Sequence, residues 1–225
     1  MQQKTIIAAI ALSTGLAISG GTFASDDNRI TPDLVSIEVI HDGKPVVIKR
    51  GHDRDAKLPA IFQKTDRGCP PFCVQPMQAA PGVDTVGELE VLDYLHRMAQ
   101  GETDLMLVDS RTPDWVMRGT IPGSVNIPWN KINTDSAGTF ETPGEADTFV
   151  HIVADEFGAN RDSKTGNWDF SEAKTLILFC NGIWCPQSTA NLNTLLKIGY
   201  PAYKLKWYRG GMQDWVSVGL TTVTP

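Results

Sequence analysis

The sequence predicts an α/β fold, a three-layer domain around a central, mostly parallel sheet, preceded by a small segment containing a β-hairpin. Three observations carry that expectation. "LMLVD" (105–109) and "TLILFC" (175–180) are short continuous apolar runs, the pattern of strands covered on both faces. Stretches with helical spacing stand between and after them, and such alternation implies parallel strands joined by right-handed crossovers. Ahead of this region, "LVSIEVIHDGKPVVIK" (34–49) holds two β-rich runs around His41-Asp42-Gly43-Lys44, the composition of a hairpin turn.

The elements follow in order. After the hairpin come "RGHDRDAK" and then "GCPPFCVQPMQAAPGVD" (68–84), whose four prolines and two glycines break any helical or strand period. This stretch reads as an ordered linker, pinned by its own cysteines. "TVGELEVLDYLHRMAQG" (85–101) reads as an amphipathic helix, with Thr85 and Glu88 spaced as a capping box. Val86, Leu89, Leu92 and Leu95 form its apolar face, and Gly101 is its stop. "SVNIP" (124–128) and "AYKLKWY" (202–208) are weaker strands. Helices are expected near Phe149 to Phe157, Thr189 to Ile198 and Met212 to Val218. There is no internal repeat.

The N-terminus sets the compartment. Lys4 precedes an apolar stretch to about Ser19, and "GGTFASDD" puts Thr22 and Ala24 at the minus-three and minus-one positions of a cleavage site. Residues 1–24 therefore read as a signal peptide. The apolar stretch is shorter than the roughly 20 residues of a spanning helix and is interrupted by Ser13, Thr14 and Gly15, so stable membrane insertion is not expected. Cleavage would remove one charge, Lys4, and take the formal net charge from −6 to −7. An acidic protein without clustered Lys and Arg is not expected to bind nucleic acid or anionic membranes. The expected location is the periplasm or the exterior, where Cys69, Cys73, Cys180 and Cys185 meet oxidising conditions. Four cysteines allow three pairings, and the sequence does not choose among them. Residues 25–83 then form an N-terminal β segment and Cys/Pro-rich linker, and residues 84–225 the α/β domain.

Ligands of parallel sheets bind beyond the carboxyl ends of the strands, where Cys180 sits. A helix follows at once, so unpaired N–H groups and the helix dipole would stabilise a thiolate or an anionic sulfur species there. Gly182 permits tight curvature, and Ser188 is a suitable N-cap.

"LMLVDSRTPDWVMRGTIPGSVNIP" (105–128), "LILFCNGIWCPQSTANLNTLLKIGY" (176–200) and "LKWYRGGMQDWVSVGL" (205–220) resemble, in order and spacing, the signatures of a rhodanese-like domain. The resemblance spans about residues 84–225. It implies a sulfurtransferase in which Cys180 accepts sulfur as a persulfide and amides of Asn181, Gly182, Ile183, Trp184, Cys185, Pro186 and Gln187 cradle it. Asp109 and Arg111 stand for the family's acidic and basic residues beside the site. No cofactor is implied, and the partners are a sulfur donor and a thiol or protein acceptor. The chain departs from the family by putting Pro186-Gln187 where an arginine is common. That weakens thiosulfate as donor and removes the guanidinium clamp a phosphatase needs.

Two other functions compete. Cys185 would make a thiol-disulfide redox protein with Cys180, coupled to Cys69 and Cys73. A structural disulfide would instead leave a non-catalytic binding module. Asp109 and Arg111 have a structural reading too, as an ion pair satisfying loop groups. Trp184 reads equally as lid or core, whereas Trp115, Trp207 and Trp215 are expected to pack. His41, His52, His96 and His151 read as surface or packing residues. "CPPFC" lacks the second ligand pair of a zinc site. "DSKTGNWD" (162–169) lacks a calcium loop's ligand series and reads as a solvated turn. No metal is expected.

Overall fold

The computed structural model describes residues 28–64, 66–133 and 143–225. The expected signal peptide lies outside the described residues. Strand β1 (Ser36–His41) pairs antiparallel with β2 (Lys44–Lys49). Asp42 and Gly43 both have positive φ, 48° and 72°, as a two-residue hairpin turn of matching twist requires.

Strand β3 (Asp84–Val86) leads into helix α1 (Glu88–Ala99). The helix starts later than the Thr85/Glu88 pairing predicts. Thr85 and Val86 are extended and pair with β9 (Leu205–Tyr208), and Thr85 Oγ1 donates to Met77 O at 2.5 Å. The cap is supplied two residues on, where the Glu90 carboxylate accepts Gly87 N–H at 2.9 Å. With that start, Val91, Leu92 and Leu95 face the core, and Leu89 is 52% exposed, contrary to the expected face.

Strand β4 (Leu105–Asp109) is followed by α2 (Pro113–Val116), β5 (Val125–Asn126) and α3 (Trp129–Ile132). Helix α4 (Pro143–His151) then passes into a wider turn at Ile152–Glu156, in which Phe157 N donates to Ile152 O. The helix expected at 149–157 is thus the second half of a longer element. A small ribbon, β6 (Asn160–Arg161) with β7 (Trp168–Asp169), precedes β8 (Thr175–Phe179), α5 (Gln187–Lys197), β9 (Leu205–Tyr208) and α6 (Gly211–Ser217).

The main sheet has the order β3-β9-β8-β4-β5, and all its pairings are parallel. Its two faces are read off the alternation of the central strands. Met106, Val108, Leu176 and Leu178 pack with Ile132, Phe149, Leu192 and Leu195 from α3, α4 and α5. Leu107, Ile177 and Phe179 pack with Leu92 and Leu95 of α1 and with Met212 and Trp215 of α6. Ile37, Val39 and Ile48 of the hairpin, with Phe62, join this second cluster. The N-terminal segment therefore shares a core with the α/β layers. It is also tied to the C-terminus, where Gly51 N donates to Gly219 O and Arg50 Nε to Val218 O. No helix among the described residues is long and apolar enough to cross a membrane.

Candidate active site

The carboxyl ends of β4 and β8 lie side by side, with Asp109 in register with Phe179. This sets Asp109, Ser110 and Arg111 against Cys180, the first residue beyond β8. Ser110 N donates to Phe179 O at 3.0 Å, which fixes the two exits together.

Asp109 and Arg111 have no exposed side-chain surface. Arg111 Nε and Nη2 donate to Asp109 at 2.9 and 2.6 Å, and Thr120 Oγ1 adds a third donor at 2.7 Å. Remaining guanidinium donors reach Gly119 O at 2.8 Å and Asn181 Oδ1 at 3.4 Å. Asn126 Nδ2 donates to both Asp109 O and Arg111 O. The pair is enclosed and satisfied, so it orients the cysteine loop through Asn181 and has no free face toward a ligand.

From the other side, α6 holds the loop by its carbonyls. Met212 N donates to Cys180 O at 3.0 Å and Gln213 N to Asn181 O at 2.9 Å. Such an approach leaves no room for a side chain at Gly211, whose φ is +57°: a Cβ there would collide with the Cys180 carbonyl.

Two disulfides are present, Cys180–Cys185 and Cys69–Cys73, with Cα separations of 6.2 and 4.6 Å. Among the described residues there is no free cysteine. The Gln187 carboxamide oxygen sits 3.5 Å from Cys180 Sγ and 3.7 Å from Cys185 Sγ, covering the bond. The expected ring of amides is narrower than residues 181–187, because Pro186 has no N–H and Cys185 N donates to Gly182 O. Ser188 does not cap α5: the N-cap is Pro186, and Ser188 Oγ accepts the buried Trp207 indole N–H at 3.1 Å.

Sequence reasoning missed what covers the loop. Residues 60–64 and 66–77 lie as a strap across it. Gln75 N donates to Ile183 O at 2.8 Å, and Gln213 Nε2 donates to Phe62 O at 3.2 Å. Arg209 binds Gln75 O and Pro76 O. Phe72, between Cys69 and Cys73, meets Trp184 edge-on with ring centroids 5.7 Å apart. The Arg67 guanidinium lies 3.6 Å from the Trp184 ring centroid, and its Nε is buried without a hydrogen-bond partner. Burial lowers the Arg67 pKa from its ordinary value. The loop itself is uncharged, so this cation comes from the strap. Its only sequence signal was the paired cysteines around Pro-Pro-Phe.

Strap and loop border a partly open cavity of about 500 Å³. Phe72, Trp115, Trp129, Trp184 and Cys185 line it, with Gln187 among the few polar groups. Trp184 is both a cavity wall and a packed residue, its Nε1 donating to Gln213 Oε1 at 3.0 Å. Trp115, expected to pack, lines the cavity instead, while Trp207 and Trp215 are in the two cores.

The remaining motifs lie elsewhere. His41 Nδ1 accepts Gly123 N–H at 3.1 Å beside the hairpin. Asp162 Oδ1 accepts the amides of Lys164 and Thr165, closing its turn and lowering its pKa. Among the described residues, no group of His, Cys, Asp and Glu is arranged to hold a metal ion. The site can therefore offer a sulfur pair at a strand end, held by fixed carbonyl contacts, under an aromatic cavity.

Residues 91–218 match the rhodanese-like domain family. No curated protein matches the chain. Among solved structures, the BH2092 protein from Bacillus halodurans is 17% identical, with 63% of this chain and 77% of that one covered and a TM-score of 0.42. Thiosulfate sulfurtransferase from Pseudomonas aeruginosa is 19% identical over 63% of this chain, at TM-score 0.42, and only 20% of that protein's length is spanned. A human single-domain sulfurtransferase is 19% identical, with 60% and 96% covered and a TM-score of 0.32.

Proposed function

The chain belongs to the rhodanese-like domain family, and from that premise we propose that it is an exported sulfurtransferase carrying a persulfide on Cys180. The observation that carries this reading is the position of Cys180, directly beyond β8, with its carbonyl bound by α6 and helix α5 starting seven residues later.

A dithiol reductant first opens the Cys180–Cys185 bond: its thiolate attacks Cys185, Cys180 leaves as a thiolate, and the reductant's second thiol frees Cys185 as the reductant departs as a disulfide. The Cys180 thiolate then attacks the outer sulfur of a donor, the donor's sulfur–sulfur bond breaks, and the donor leaves as an anion. An acceptor thiolate next attacks the outer sulfur of the persulfide, and Cys180 departs as a thiolate. The two transfers together consume no electrons. Asn181, anchored by Arg111 and Gln213, holds the loop during both steps. An aromatic cavity suits a persulfide on an organic or protein carrier better than a small dianion, whose hydration it cannot replace. Export is supported by the leader composition and by four cysteines suited to an oxidising compartment.

The disulfide itself favours a second reading, thiol-disulfide exchange through Cys180 and Cys185. One experiment separates the two. Reduced protein is exposed in turn to thiosulfate and to polysulfide, and adducts are mapped by mass spectrometry without reduction. A one-sulfur adduct on Cys180, removed by an added thiol, supports sulfur transfer. Reclosure of Cys180–Cys185 with no adduct in the parent, and none in Cys185→Ser, defeats it.

A further inference from the structure

The strap's disulfide is placed to serve the buried one. Cys180 and Cys185 are 2% and 3% exposed beneath the strap, whereas Cys69 is exposed and Cys73 half-buried. A bulky reductant therefore meets the Cys69–Cys73 bond before it can reach Cys180–Cys185.

The local geometry gives the order of attack. Gln75 N donates to Ile183 O, and Cys73 and Cys185 each stand two residues from that bond. Stepping back along the strap to Phe72 and forward along the loop to Trp184 ends in an aromatic contact. The two segments thus pass each other in opposite senses, which brings Cys73 toward Cys185. Pro71 and Phe72, which precede Cys73, share the cavity wall with Cys185, whereas neither Cys73 nor Cys180 is part of it. Beside the strap disulfide, Val74 and Met77 are 74% and 69% exposed. Those two apolar side chains suit contact with a protein surface.

We propose that Cys69–Cys73 is a second redox centre, which takes two electrons from a protein dithiol and passes them to Cys180–Cys185. A donor thiolate attacks Cys69, breaking its bond to Cys73, and the donor's second thiol displaces Cys69 from the mixed disulfide. The donor leaves as a disulfide, and Cys69 and Cys73 are now thiols. The Cys73 thiolate attacks Cys185 Sγ, the bond to Cys180 breaks, and Cys180 is released as a thiolate. Cys69 then attacks Cys73, restoring the strap disulfide and freeing Cys185. The sum is one donor dithiol oxidised and one buried disulfide reduced. The released sulfur is Cys180, the one that the sulfurtransferase reading requires. The relay rests on that reading only for its purpose, and neither measurement below involves sulfur transfer.

The first test is a trap. The variant Cys69→Ser/Cys180→Ser retains Cys73 and Cys185, and mild oxidation of the folded monomer is expected to join them, as mapped by non-reducing peptide mass spectrometry. The second is kinetic. Reduced thioredoxin serves as the protein dithiol and a water-soluble phosphine as the small reductant, with exposure of Cys180 followed by alkylation. Cys69→Ser/Cys73→Ser is expected to lose at least tenfold in the thioredoxin-driven rate and to keep the phosphine-driven rate within about twofold. Failure of the trap to form a Cys73–Cys185 bond overturns the relay. So does a thioredoxin-driven rate equal to the parent's.

Discussion

Arg111 donates to Asp109 through both Nε and Nη2, with neither side chain reaching solvent, and its other contacts reach Gly119 O and Asn181 of the cysteine loop. Removing one charge of an enclosed pair strands the other. Arg111→Ala is expected to cost about 3–5 kcal/mol of stability, and Arg111→Lys to recover only part, since a point charge cannot reproduce the fork. Denaturant unfolding checks this. Parental stability in Arg111→Ala with loss of the Cys180 adduct would instead make Arg111 a ligand-binding residue.

Gly211 limits how α6 approaches the loop. Its φ of +57° and the Cys180 carbonyl beside it leave no space for a methyl group. Gly211→Ala should lose about 1–2 kcal/mol from the left-handed conformation alone. The clash should also shift the carbonyl held by Met212, so adduct formation on Cys180 is expected to fall more than stability does. Equal adduct yields in parent and variant, measured by intact-mass spectrometry, would contradict this.

Much of the architecture was legible because it is local. Asp42-Gly43 specified the hairpin turn, and the runs ending at Asp109 and Cys180 specified buried strands, which the structure places side by side. What failed was decided by distant partners. Ser188 has the chemistry of an N-cap, but Trp207, 19 residues away, claims its oxygen. Thr85 fits a capping box, yet pairing with β9 holds it extended and passes the cap to Gly87 and Glu90. The strap carries no periodicity, so beyond its paired cysteines nothing in residues 60–64 and 66–77 announced that they would cross a loop more than a hundred residues on. Residues 180–188 carry no charge of their own, and the cation stacked on Trp184 comes from Arg67.

Asp214, on α6, gives a pH-dependent prediction. Desolvation raises its pKa above the ordinary value, the charge of Glu88 adds to this, and Arg209 opposes it. A carboxyl raised in the folded state favours folding when protonated. That contribution is complete below the unfolded value near 3.9 and is lost as pH rises through the folded one. Asp214→Asn, which stays neutral, is therefore expected to unfold at a higher temperature than the parent at pH 7. At pH 3 the two should nearly coincide. A destabilised variant at pH 7 would mean that the Asp214 charge is net favourable where it sits.

Ile48 tests whether the hairpin is a separate unit. Composition alone divides the chain near residue 83, because the Cys/Pro-rich stretch resembles a linker. Ile48 is nevertheless fully buried, in one cluster with Leu92 and Leu95 of α1 and Trp215 of α6. Truncating such a side chain leaves a cavity that both layers line, and Ile48→Ala is expected to cost about 2–5 kcal/mol. If the core is shared, the loss appears as a shift of one cooperative transition, with tryptophan fluorescence and backbone circular dichroism coinciding, since Trp215 and the hairpin melt together. A separate hairpin would give a different result: an early, small transition by circular dichroism, and an unshifted fluorescence transition from the tryptophans of the α/β layers.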